Sequence, residues 1–159
     1  MSHKPTKPNL SKVLTPSLFS SILSYQFPWP VPVDIQIAKD FFWGIPDISK
    51  QIYETIFRQA LVPMSQYVTE PTWPNLTEYL LPAADDGKYS KEELEAVLAL
   101  MLLTDQGPIA LLRGMNGRYA VGFFAPIAER FVKDLILSDR LPDSIECWMK
   151  TFDYPLKML

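Results

Sequence analysis

Ser90–Gly114 reads SKEELEAVLALMLLTDQGPIALLRG and carries the longest apolar helical face in the chain. Ser90 and Glu93 have the spacing of a capping box, in which the serine hydroxyl takes the Glu93 N–H and the glutamate reaches back to Ser90. Leu94, Val97, Leu98, Met101 and Leu102 follow at the spacing of a buried helix face. Asp105 comes seven residues after Leu98 and so falls within about 20° of that stripe. On this phase Asp105 is a carboxylate at the end of a core face, where leaving it bare would be costly. Arg113 and Arg118 are its nearest candidate partners in sequence. Gly107-Pro108 is expected to break the helix, and Gly114 and Gly117 punctuate a turn.

Downstream, Asn116 is placed to cap a long helix over residues 117–137. Its stripe is Phe123 or Phe124, Ile127, Phe131 or Val132, then Leu135, with Glu129 and Lys133 as an i,i+4 pair on the wet face. Pro126 sits inside it and predicts a kink or a break. Pro142-Asp143-Ser144 opens a last helix to about Phe152, which includes Cys147 and Trp148.

Upstream, residues 1–12 read as a mobile tail. Thr15-Pro16 is an N-cap with proline at the first helical position, and Leu18, Phe19, Ile22 and Leu23 form an amphipathic face over residues 16–25. Phe27-Pro-Trp-Pro-Val-Pro32 is an extended, polyproline-like arm, with Trp29 its anchor against the domain. A helix follows from Asp34 to Trp43, ended by Gly44 and Pro46. The next starts at Asp47 or Ser49, carries Ile48, Ile52, Ile56 and Ala60 as one stripe flanked by Phe57 and Leu61, and closes at Pro63. Residues 63–89 are loop-like, with one or two helical turns between Leu76 and Leu81. No segment shows sustained strand alternation. The expected fold is therefore all-α, with five to seven helices. Residues 1–33 form a tail, short helix and Pro-rich arm, and residues 34–159 form one domain.

Composition bounds the function. The chain has 159 residues, 48% apolar and 13% aromatic, enough for one core rich in rings. A net charge of −3 supplies no basic stripe for phosphates and argues against nucleic-acid binding. One cysteine, Cys147, and one histidine, His3, argue against a His/Cys metal site and a Ser-His-Asp triad. No cofactor is expected. The run from Ala96 to Leu103 is too short for a membrane span, so a soluble, cytoplasmic protein is the expectation.

Leu102-Leu-Thr-Asp-Gln-Gly-Pro-Ile-Ala-Leu-Leu-Arg-Gly114 resembles the hallmark L-L-D-Q-F-P-R-N-x-Y-R-G of the family catalogued as domain of unknown function 924. Asp105, Gln106, Pro108, Arg113 and Gly114 match; Gly107, Ile109 and Ala110 stand where Phe, Arg and Asn would be expected. Phe41-Phe-Trp-Gly44 is similar to the family's opening F-W-F-G, and the resemblance continues through Arg118-Tyr119 to Phe124-Ala-Pro-Ile-Ala128. It implies a tetratricopeptide-like helical bundle. The family's later P-L-x-H-S-E motif is reduced to Pro155-Leu-Lys-Met158, and the helices beyond it are missing, so that this chain resembles a shortened member. An apolar face is then left for the Pro-rich arm or a second copy to cover, and a homodimer is the expectation.

Two functions follow. The first is a cofactor-independent enzyme of cyclase, isomerase or lyase type, acting on a small apolar, polyketide- or terpenoid-like molecule in an aromatic-lined pocket. Asp105 would be general acid or base, Arg113 or Arg118 would polarise a carbonyl, and Tyr119 and Gln106 would orient it. Phe42, Trp43, Trp73 and Phe123 would join Gln106 in lining the pocket. The second is a non-catalytic helical module that binds a protein. A ring-lined cavity reaching Asp105 favours the enzyme; a filled core with an open groove favours the module.

Overall fold

The computed structural model describes residues 8–26, 48–67, 73–80 and 90–141, and among these residues all regular structure is helical. The principal helices are α1 (Pro16–Gln26), α2 (Ile48–Ser65), α3 (Lys91–Thr104), α4 (Gln106–Leu111), the single turn α5 (Gly117–Tyr119) and α6 (Ala125–Leu137). The expected all-α class is the observed one. The expected Pro-rich arm, the helix from Asp34 to Trp43 and the last helix with Cys147 and Trp148 lie outside the described residues, as do Phe42 and Trp43.

Helix α3 is the hub. It packs lengthwise against α1 and also touches α2, α4 and α6. Ser90 caps it, its hydroxyl accepting the Glu93 N–H at 3.0 Å. The reciprocal half of the expected box is not made. The Glu93 carboxylate, 2% exposed, instead accepts from Arg140 Nη2 at 2.7 Å. Leu94, Ala96, Val97, Ala99, Leu100, Leu103 and Thr104 are buried with it, so the core side of α3 is centred on 93, 97, 100 and 104. The Thr104 hydroxyl is satisfied by donating to the Leu100 carbonyl at 2.8 Å.

The expected stripe matches this face in part: Leu94 and Val97 are fully buried. Leu98, Met101 and Leu102 are only half-buried, and Asp105 is exposed. The spacing is right for Leu94 and Val97 and sets the other three deeper than they lie, at the edge of the core. Because α3 is apolar on nearly all faces, periodicity alone does not say which face is innermost.

Proline sets where α3 stops. Pro108 has no N–H, and its ring clashes with a helical carbonyl four residues back, which is that of Thr104. α3 accordingly ends at Thr104, and the turn falls at Asp105 rather than at Gly107-Pro108. Pro108 is then the third residue of α4, inside the first turn, where a missing donor costs little. Gly107 permits a close approach of α4 to α2: a Cβ there would lie 2.6 Å from Phe57 Cδ1.

Pro126 acts in a related way. A π turn, Ala120–Phe124, precedes α6 and leaves Pro126 at its start. The added residue in the turn lets both Phe123 and Phe124 face inward, where the sequence offered them as alternatives. Pro63, by contrast, does not close α2. The helix continues to Ser65, with Phe57, Ala60, Leu61 and Met64 as its buried stripe and Ile56 half-buried.

The N-terminal segment belongs to this core. Thr15 Oγ1 accepts the Leu18 N–H at 3.3 Å, and Leu18, Phe19, Ile22 and Leu23 are all buried, as expected. A tail running to residue 12 is not what is found: Leu10 and Leu14 are buried, and the Tyr67 hydroxyl donates to the Pro8 carbonyl at 2.7 Å. Residues 8–26 therefore share one hydrophobic core with α2, α3 and α6, rather than preceding the domain.

Gly107→Ala is expected to destabilise the fold by about 1–3 kcal/mol, the usual cost of overpacking. Denaturant unfolding measures it, and adding Phe57→Leu should recover part of the loss.

Candidate functional site

Of the concavities on the described surface, two are lined by expected site residues. The first is an apolar groove of about 650 Å³ between α3 and α6. Leu98, Met101 and Leu102 form one wall; Ala125, Ala128, Val132 and Ile136 form the other. The Glu93–Arg140 pair joins the start of α3 to the residues just past α6, so the two helices run antiparallel. Asp105 and Gln106 thus sit at the Ala125 end of the groove, with Glu129 and Lys133 on its α6 rim.

Arg140 is brought to Glu93 by the way α6 ends. Asp139 adopts φ 54, its N–H bonds the Ile136 carbonyl at 3.2 Å, and the Arg140 N–H bonds that of Leu135 at 2.8 Å. This is the Schellman pattern, with aspartate in the place more often held by glycine.

The second concavity, of about 550 Å³, lies where α2 faces α4 and α5. Leu61, Val62, Leu111, Leu112, Phe123 and Phe124 supply its apolar lining; Glu54, Arg58, Ser65, Asn116 and Tyr119 supply polar groups. Phe123 and Phe124 meet edge to face at 4.9 Å between ring centroids. Trp73 stands edge-on to Phe123 at 6.4 Å and lines neither concavity.

The expected buried Asp–Arg pair is absent. Asp105 is exposed and accepts from Gln106 Nε2 at 2.6 Å; no ion pair joins it to Arg113 or Arg118. Arg113 is exposed just before Gly114, whose φ of 59 carries the chain into the turn Gly114–Asn116. Arg118 lies over the ring of its neighbour Tyr119, 5.1 Å from the centroid, with Nη2 3.4 Å from the hydroxyl. Asp105 and Gln106 line the groove, Tyr119 and Phe123 line the other cavity, and Arg113 and Arg118 line neither. Among the described residues the buried carboxylate is Glu93. Its position in the first turn of an apolar helix, together with an arginine past the end of the next long helix, was the available signal.

The Tyr79 phenol is pushed above its ordinary 10.0, first by burial and then by Tyr67 and Glu78, but it lines neither concavity. Among the described residues no three Asp, Glu, His or Cys side chains converge as metal ligands. Lys91–Leu111 has the length and mean hydropathy, 1.4, of a membrane-crossing segment; half of that window is buried in the fold, and the turn at Asp105 interrupts it. Comparison with protein-family models, with curated proteins and with solved structures finds no match.

Removing one partner of the Glu93–Arg140 pair leaves a buried charge without compensation. Arg140→Met is expected to cost about 3–5 kcal/mol in chemical unfolding, and Glu93→Met with Arg140→Met much less. Asp105→Asn, at an exposed site, should change stability by no more than about 0.5 kcal/mol.

Proposed function

We propose that this chain is a non-catalytic helical interaction module that receives an amphipathic helix in the α3–α6 groove. One observation carries the reading: Asp105 and the half-buried Leu98, Met101 and Leu102 lie along an open apolar groove, not in a ring-lined cavity. A groove between two antiparallel helices, apolar along its floor and charged at its rim, suits a third helix with anchors at i, i+3, i+4 and i+7. Asp105 and Gln106 would then serve at the groove's end as polar rim contacts that set orientation, not as acid, base or carbonyl ligands. A tetratricopeptide-like arrangement of these helices is part of this proposal, since folds of that kind commonly bind protein segments.

The second reading, a small-molecule enzyme, is favoured by the cavity that holds Tyr119 and Phe123. Its volume of about 550 Å³ suits a small ligand, and its aromatic and aliphatic lining suits an apolar one. In that case Glu54, Arg58, Asn116 and Tyr119, rather than Asp105 and Arg113, are the groups within reach of the ligand. A cytoplasmic setting is proposed with either reading.

Chemical-shift mapping with two probe sets separates them. Helical peptides selected from an amphipathic library are expected to perturb Leu98, Met101, Leu102 and Val132. A library of apolar fragments should leave the cavity at Arg58 and Tyr119 silent. Fragments that bind that cavity, with no peptide at the groove, would overturn the module in favour of the enzyme.

A further inference from the structure

The groove's own α6 wall has the features of the helix it would receive, and we infer that a second copy of this chain docks there through an antiparallel, twofold-symmetric α6–α6 contact. The inference rests on the reading of the groove as a helix-binding site and names its occupant.

The outward stripe of α6 is Ala125, Ala128, Glu129, Val132, Lys133 and Ile136, the same residues that line the groove. This stripe is self-complementary in charge. Glu129 and Lys133 are both exposed, and neither makes an ion pair among the described residues; the expected i,i+4 pair is not formed, whereas α6 does hold an Arg130–Asp134 pair at 3.7 Å. Glu129 and Lys133 lie at equal distances in sequence on either side of Phe131. A twofold axis crossing α6 at that level sets Glu129 of each copy against Lys133 of the other, twice per dimer.

The stripe is also self-complementary in shape. One end has the small side chains Ala125 and Ala128, and the other has Ile136, which is 57% exposed. The same axis carries Ile136 of one copy to the Ala125 end of the other, where the small residues leave room. Leu98, Met101 and Leu102 of α3 then close over the incoming helix. An isologous contact needs each patch to fit itself, and this one has both signs of charge and both sizes of side chain in the required order.

Sedimentation equilibrium of the full chain over a concentration series tests this. The unaltered chain is expected to dimerise. Glu129→Lys and Lys133→Glu, each of which sets like charges against each other at both symmetric contacts, should each weaken the dimer by at least about tenfold. An equimolar mixture of the two variants should associate again, because each heterologous contact regains opposite charges, and so should the chain carrying both changes. Ile136→Asp should give a monomer. Circular dichroism of every variant should be unchanged, because all three positions are exposed. A monomer at every concentration, or a dimer indifferent to the charge changes, would overturn the inference. Peptide binding at the groove would in that case still stand as the separate test of the module.

Discussion

The buried contact between Glu93 and Arg140 is the constraint on which the rest of the arrangement turns. A carboxylate almost fully withdrawn from water is tolerable only with a close, well-directed partner. The cation comes from beyond the end of α6, after a chain reversal that puts Asp139 at positive φ. The pair therefore does more than neutralise a charge. It ties the first turn of α3 to the last turn of α6 and fixes these helices antiparallel. Their opposite ends, with Asp105 and Ala125, then bound the same groove.

Two prolines shape the other end. Pro108 stops α3 at Thr104, and Pro126 follows a widened turn that starts α6. Between them α4 is short and lies close on α2, with Gly107 against Phe57.

Local chemistry made some of this legible. The Thr15-Pro16 start, the four buried positions of α1 and the Ser90 cap each depend on residues within one helical turn. What sequence did not yield were choices decided by distant partners. Glu93 has the spacing of a capping-box residue and would serve as one if Arg140 were elsewhere. Asp105 shares a face with Leu98, Met101 and Leu102, but which face of α3 lies deepest depends on where α1, α2 and α6 land. A helix apolar on most sides offers several equivalent stripes, and periodicity cannot rank them. In α2 the expected Ala60 is buried, but beside it the core takes the flanking Phe57 and Leu61, with Met64, ahead of Ile56. The candidate site suffered most, because Asp105, Arg113, Arg118 and Tyr119 are near in sequence and the fold distributes them across different surfaces.

The surplus of apolar surface on α3 is the last link. A helix with one apolar stripe is satisfied by one or two neighbours, whereas α3 has α1, α2, α4 and α6 around it and still shows Leu98, Met101 and Leu102 half-covered. Contiguous apolar surface left in water loses roughly 25 cal/mol for each Å² that a partner would have covered. The residues on the facing wall were free to be polar, since they are not needed for the core stripe of Ile127, Phe131 and Leu135. They are instead Ala125, Ala128, Val132 and Ile136, confining charge to Glu129 and Lys133 at the edge. Two helices that each present apolar residues beyond what their own core requires, along one shared groove, form a surface suited to another helix.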